Sequence, residues 1–215
     1  MTKAILFDFD GTIADTAPGI VKTMEHTFKE MGLTVPSEEA MRATIGLRLD
    51  LALQQLGRLS DDDAAIATDT YRRLFPIYEV GYVSIFSGIK ETLAELQQQG
   101  IRLAICTSRN AGSLDMICEH HGIRDFFETR VTNNDHLAPK PAPDMVLALL
   151  NKMQLQKEDA LVVGDTTFDI EMGNRAGCKT VAVTWGNHSR QQLMEAQPTF
   201  IIDSIEQITD ITAQL

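Results

Sequence analysis

No apolar run in this chain approaches the ~20 consecutive residues that a bilayer-spanning helix needs, so no spanning helix and no membrane partner are expected. Cysteine is scarce. Cys106, Cys118 and Cys178 are an odd number without metal-ligand spacing, and each sits in an apolar or helical context. That argues for structural thiols rather than disulfides or a zinc site. The five histidines form no ligand pattern, and His120-His121 read as the end of a helix before Gly122. Basic residues are outnumbered: 19 Lys and Arg face 30 Asp and Glu, a formal net charge of -11. Nucleic-acid binding needs a basic face, and none is visible, so nucleic acid is not an expected partner. Met1-Thr2-Lys3 leads into an apolar run without the core and cleavage site of a signal peptide, and the expected location is cytoplasmic.

What is present is ordinary in bulk and specific in detail. The chain has 215 residues, 44% of them hydrophobic, enough for one full core plus a small second domain. Its most informative stretch is Asp8-Phe9-Asp10-Gly11-Thr12, directly after the strand-like run Ala4-Ile5-Leu6-Phe7. Two carboxylates just past a buried strand are costly unless paired or metal-bound. Gly11 permits a sharp turn and close approach to a ligand. Three other strand-like runs also stop at reactive residues. Arg102–Cys106 ends at Thr107-Ser108-Arg109, and Thr129–Thr132 leads to Asn133 and then Lys140-Pro141. Ala160–Val163 ends at Gly164-Asp165, with Asp169 following.

From residue 86 onward strands and helices alternate. Helices are read near 89–99, 111–121, 143–152, 167–176 and 204–214, with strands near 101–107, 129–132, 160–164, 180–183 and 200–202. Such alternation predicts an α/β fold with a parallel sheet covered on both faces. Residues 16–80 carry no strand signal. They show three helical stripes: Val21, Met24, Phe28 and Met31; Leu49, Leu53 and Leu56; and Ala67, Tyr71, Leu74 and Tyr78. Asp61-Asp62-Asp63 follows Ser60 and reads as an acidic helix start. The expected organisation is a core of residues 1–15 and 86–215, with 16–85 inserted as a small helical cap over the end of the first strand. That insertion is either a mobile lid or a fixed helical subdomain.

Parallel sheets bind ligands outside the carboxyl ends of their strands, so one cleft could collect all four constellations. Two carboxylates at i and i+2 can divide labour, one attacking phosphorus and the other handling protons. Asp165 adds a hard oxygen ligand suited to Mg²⁺. Lys140 is a point charge for phosphate oxygens and Thr107 a hydroxyl donor. Because an acidic chain repels an anion at long range, local cations are needed; Mg²⁺, Lys140, Arg48 and Arg109 are the candidates.

At these residues the chain resembles haloacid-dehalogenase-superfamily phosphatases with a helical cap of the C1 type, and within them the phosphoglycolate-phosphatase-like members. Asp8–Asp15 resembles the first motif, Thr107 the second, Lys140-Pro141-Ala142-Pro143 the third and Gly164–Asp169 the fourth. Thr184-Trp185-Gly186 and Ser189-Arg190 add to the likeness. The resemblance implies a Rossmann-like core, Asp8 as the phosphorylated nucleophile and Asp10 as acid and base. It implies Mg²⁺ held by Asp8, Asp165 and the carbonyl of Asp10, with Gly11 and Asp169 in support. Thr107, Ser108 and Lys140 would hold phosphate. Arg48, on the segment Ile45-Gly46-Leu47-Arg48, and Arg109 are candidate substrate contacts. That segment reads equally as a loop facing the site or as a plain turn between helices.

The expected function is therefore a Mg²⁺-dependent phosphatase of small phosphate monoesters, with 2-phosphoglycolate a candidate and the chain a monomer or homodimer. Alternatives on the same scaffold are a phosphosugar mutase like β-phosphoglucomutase and a nucleotide or pyrophosphate phosphatase. A hydrolytic dehalogenase leaves Asp10 without a task. A non-catalytic phospho-acceptor module leaves both Asp10 and the cap unexplained.

Overall fold

Six short apolar runs form one parallel sheet in the computed structural model, which describes residues 2–79 and 82–214. In chain order they are β1 (Ala4–Phe7), β4 (Arg102–Cys106), β5 (Thr129–Val131), β6 (Ala160–Gly164), β7 (Lys179–Val183) and β8 (Phe200–Ile202), and their spatial order is β5-β4-β1-β6-β7-β8. Side chains of successive strand residues point to opposite faces, and the sheet is apolar on both. On one face Ile5, Phe7, Leu103, Ile105, Leu161 and Val163 join one core cluster. On the other, Ala4, Leu6, Ala104, Cys106, Ala160 and Val162 join a second.

Helices cover both faces. Ile89, Leu93 and Leu96 of α5 (Ile89–Gln98), Leu114 and Ile117 of α6 (Ala111–His120), and Ile208 and Ile211 of α10 (Gln207–Gln214) close the first. Met145, Val146 and Leu149 of α7 (Asp144–Met153) and Met172 of α8 (Thr167–Ala176) close the second. The three cysteines are buried and free, as their apolar settings predicted. Among the described residues no helix is long and apolar enough to cross a membrane.

Between β1 and β4 the chain leaves the sheet through β2 (Ala14–Asp15) and returns through β3 (Ser84–Ile85), which pair antiparallel, Ala14 with Ile85 and Asp15 with Ser84. This two-stranded tie went unread in the sequence because two residues are too few to show a period. Between its strands lie α1 (Ala17–Glu30), α2 (Glu38–Arg42), α3 (Leu49–Gly57) and α4 (Asp61–Glu79). They share a core cluster of their own that includes Met24, Phe28, Leu53, Ala67, Tyr71 and Phe75. The acidic start of α4 is capped as expected, with the Ser60 hydroxyl accepting from Asp63 N at 3.2 Å.

Three further details differ from the sequence reading. The five-residue α2, capped by Ser37, has less than two turns of pattern. A helix α9 (Arg190–Glu195) follows β7, its start fixed by reciprocal hydrogen bonds between Ser189 and Gln192. The last helix begins at Gln207, because residues 204–206 are spent in a turn.

Register sets the level of the strand ends. Phe7 pairs with Ile105 on one side and Val163 on the other, so the residues just past each emerge together. After β1 the chain runs outward to β4 and β5, then returns past β1 to β6, β7 and β8. The strand order thus reverses around β1, where a crevice opens in doubly wound sheets.

Candidate active site

The loop after β1 is built around one carbonyl. Asp8 N donates to Val163 O at 2.8 Å, the last rung to β6. The carbonyl of Phe9 then accepts from the backbone amides of Thr12, Ile13 and Ala14, at 3.3, 3.0 and 3.0 Å. This winds the chain tightly and turns Gly11 to φ 93°. A Cβ at Gly11 would lie 2.2 Å from Asp165 Oδ2 and 2.3 Å from Asn187 Nδ2, so only glycine fits.

Asp8, Asp165 and Asp169 are buried and bring carboxylate oxygens within 4.8 Å of one another. Lys140, 1% exposed, lies among them; its ammonium donates to Asp8 Oδ1 at 2.5 Å and to Asp169 Oδ1 at 2.6 Å. The other Asp169 oxygen accepts from Thr166 N at 3.1 Å and Thr166 Oγ1 at 2.6 Å, which fixes its orientation at the start of α8. Thr12 Oγ1 is 3.1 Å from Asp165 Oδ1 and 3.4 Å from Asp8 Oδ2.

Three carboxylates against one ammonium leave the cluster short of positive charge. Burial and the charge of Asp169 push Asp8 well above the usual carboxylate range against the pull of Lys140. Burial and Asp169 push Asp165 up to about 7, against hydrogen bonds from Asn187 and Thr12. Burial alone would lower Lys140, but Asp169 and Asp8 outweigh it and raise the ammonium above its ordinary value. An all-oxygen, charge-deficient cluster fits a hard divalent cation.

The Asp10 carboxylate stands apart from this cluster. It accepts from Arg109 Nε at 3.0 and 3.2 Å, from Arg109 Nη2, and from Thr16 Oγ1 at 2.6 Å. Burial would raise it, but the charge and hydrogen bonds of Arg109, with Thr16, hold it below the usual range. The Asp10 carbonyl lies on the Asp165 side, 3.5 Å from Asn187 Nδ2. Arg109 is itself held: Nη1 donates to Ser113 Oγ at 2.5 Å, and the guanidinium sits 5.2 Å from the Phe75 ring centroid and 5.9 Å from that of Phe9.

A cavity of about 330 Å³ opens over the strand ends. Asp8, Asp10, Thr107, Ser108 and Arg109 line it from the sheet side, and Met24, Tyr71 and Phe75 from the helical insertion. Lys140, Asp165 and Asp169 do not line it; they lie behind Asp8. Thr107 is buried past the end of β4, its N donating to Val131 O at 3.0 Å and its Oγ1 accepting from Arg109 N at 3.1 Å. Ser108 Oγ donates to Gly46 O at 2.9 Å, a direct link to the insertion.

Both readings of the segment 45–48 hold. It is a turn between α2 and α3, and Ile45, Gly46 and Leu47 line the cavity. Arg48 does not. Its fork is closed on Asp50 at 2.6 and 2.7 Å, its side chain is 37% exposed, and it borders a small neighbouring recess with Ser108 and Asn133.

The sequence reading missed the polar residues that hold these acids, Thr12, Thr16 and, above all, Asn187, and it missed Ser113, which holds Arg109. Asn187 donates to Asp165 Oδ2 from its backbone N at 2.7 Å and from Nδ2 at 2.8 Å. Its only sequence signal is its place shortly after β7, at the same end of the sheet as the other constellations.

Residues 5–183 match the model of a family described as haloacid dehalogenase-like hydrolases. The chain is 33% identical to a protein of Dickeya dadantii named Probable phosphatase IndB, over 97% of this chain and 92% of that one. It is 32% identical to pyrophosphatase PpaX of Oceanobacillus iheyensis (97% and 96% covered) and 29% identical to a phosphoglycolate phosphatase of Vibrio parahaemolyticus (98% and 96% covered). Among solved structures, one from Bacteroides fragilis superposes with a TM-score of 0.93 at 26% identity, over 97% of this chain and 100% of the other. A haloacid dehalogenase-like family protein of Streptococcus pneumoniae gives 0.86 at 27%, with 98% of each chain covered.

Proposed function

The chain belongs to the haloacid dehalogenase-like hydrolase family, and from that premise we propose that it is a Mg²⁺-dependent phosphatase of small phosphate monoesters, acting through a phosphorylated Asp8. One observation carries this reading. Of the three clustered acids, only Asp8 both touches the buried ammonium and lines the cavity. A nucleophile must face its substrate while its charge is balanced from behind, and Asp8 alone does both.

In the proposed reaction a carboxylate oxygen of Asp8 attacks phosphorus and the ester bond to the leaving oxygen breaks. Asp10, on the cavity wall, gives that oxygen a proton; because Arg109 favours its ionised form, Asp10 takes that proton up from solvent once the substrate's own anion draws Arg109 away from it. Asp10 then takes a proton from water, which attacks the phosphoryl group and returns Asp8 to a carboxylate. Lys140 offsets the charge of Asp8 and Asp169, while Thr107 and Ser108 face the phosphate from the end of β4. Asp8, Asp165 and the Asp10 carbonyl would hold Mg²⁺, with Asp169 in support; the cation screens the two anions that must meet and stabilises the charge of the transition state.

Residues 16–85 serve in this proposal as a cap on the core of residues 1–15 and 86–215, selecting the part of the substrate beyond the scissile bond. Arg109 is the cation best placed to meet that part, and Arg48, closed on Asp50 outside the cavity, is not. The relatives named for phosphoglycolate and for pyrophosphate act on compounds that carry a second anionic group beside the phosphate. The same substrate class is proposed here, with cytoplasmic action as a monomer or homodimer, which free buried thiols suit. The test is a phosphate-release screen with Mg²⁺ over monoesters with and without a second anion. The proposal expects turnover that a chelator abolishes and the best kcat/KM for compounds with the second anion; undiminished turnover in excess chelator, or none with any monoester, refutes it.

A further inference from the structure

The amide of Asn187 and the atoms proposed to hold Mg²⁺ are too close to be independent. Asn187 Nδ2 is 2.8 Å from Asp165 Oδ2 and 3.5 Å from the Asp10 carbonyl oxygen. An amide nitrogen carries two protons and partial positive charge, so it offers these two oxygens what a cation would offer them. Glycine makes the room. A Cβ at Gly11 would meet Nδ2 at 2.3 Å, and one at Gly186 would meet Asp165 Oδ2 at 2.2 Å.

The loop carrying Asn187 is pinned on every side. Its own N donates to Asp165 Oδ2 at 2.7 Å, and His188 N donates to Asp165 O at 3.3 Å. His188 Nδ1 accepts from Thr167 N at 3.1 Å, which places the proton of the neutral ring on Nε2, 3.4 Å from Ala43 O. Trp185 Nε1 donates to Thr12 O at 3.2 Å. With the backbone held, only the Asn187 side chain is free to turn, by rotation about its own bonds.

We propose that Asn187 is a residue that sets cation affinity: its side-chain amide competes with the divalent ion for Asp165 and Asp10 and turns aside when the ion binds. The inference rests on the reading of the acid cluster as a cation site, and it adds a sign. A residue that merely orients Asp165 would, when truncated, loosen the ion. A competitor, when truncated, tightens it. The orienting bond from the Asn187 backbone survives in Asn187→Ala, so the substitution isolates the side chain. Without the amide the three carboxylates repel one another with less relief, which weakens the ion-free protein and favours the ion-bound one. Both effects act in the same direction.

The experiment titrates Mg²⁺ alone, and Mn²⁺ as a second probe, into chelator-treated wild type and Asn187→Ala by calorimetry, with thermal melts at zero and saturating ion. Asn187→Ser is the reserve should the alanine variant express poorly. A side-chain hydrogen bond to a charged group is worth enough that its loss as competitor should tighten ion binding about tenfold. The melting temperature should fall without the ion and return to the wild-type value with it. Unchanged or weaker ion binding in the variant, with wild type binding normally, overturns the competition while leaving the cation site standing. Absence of ion binding in wild type overturns both.

Discussion

Replacing Lys140 by Met tests the charge balance of the site more severely than any other single change. The thioether chain fills the volume of the lysine stem, so the main loss is the ammonium. Its side chain and that of Asp169 are wholly buried, and that of Asp8 is 2% exposed. Removing one partner from a buried ion pair costs about 3–5 kcal/mol, because it leaves charge uncompensated. At ~2–4 °C per kcal/mol for a chain of this size, the melting temperature should drop by roughly 6–20 °C.

The loss should also depend on pH. Asp8 already titrates well above its unfolded value, and Lys140 is the charge that lowers it, so the variant raises it further. A carboxyl raised on folding binds more protons folded than unfolded, so stability falls as pH rises from the unfolded value through the folded one. The variant should therefore be closer to wild type at about pH 5 than at about pH 8. Saturating Mg²⁺ should restore part of the loss at the higher pH. Thermal melts of chelator-treated protein at both pH values, with and without Mg²⁺, decide it. A drop under about 2 °C at both pH values would mean that the ammonium balances nothing of consequence, and the charge argument fails.

Other substitutions probe the division of labour. Asp10→Asn should slow phosphorylation of the enzyme by ~10²–10⁴-fold for alkyl phosphates and less for aryl phosphates, whose leaving groups need no proton; equal losses in single-turnover assays would contradict its acid role. Arg109→Ala should lower kcat/KM for a substrate with a second anion by ~10-fold or more beyond its effect on an aryl phosphate, since charged contacts of this kind are worth about 1.5–3 kcal/mol. Arg48→Ala, which breaks a half-exposed pair with Asp50, should change either substrate by no more than a few-fold. The thiols of Cys106, Cys118 and Cys178, pushed by burial to about 12, about 11 and about 11, should resist alkylation in the native protein and all react on unfolding.

The parts of this molecule legible in its sequence are those written locally. Each central strand is a continuous apolar run because both its faces are buried, and Ala4–Phe7 ends where Asp8 begins. The candidate acids are legible for the same reason, since Asp8 and Asp10 follow the end of β1 and Asp165 the end of β6, whereas Lys140 lies nine residues past Val131. What was not legible is what the side chains do once there. Arg109 meets the Asp10 carboxylate across 99 residues and Asn187 meets the Asp10 carbonyl across 177, and no spacing records such contacts. Arg48 shows the converse. Its segment does face the cavity, yet its own fork turns back to Asp50, two residues on. The tie between β2 and β3 is too short for periodicity, and Pro76, an ordinary helix breaker, stands inside α4 near its end.

The central claim is a covalent phosphoryl group on Asp8, and it is open to direct measurement. Wild type mixed with a turned-over monoester and Mg²⁺, quenched in acid within one turnover and digested, should yield the peptide containing Asp8 heavier by one phosphoryl group. The adduct should be labile to hydroxylamine, absent from Asp8→Asn, and longer-lived in Asp10→Asn, where water is activated poorly. A rapidly turning-over enzyme that never carries this mass, or a phosphoryl group found on another residue while Asp8→Asn stays active, would contradict the account.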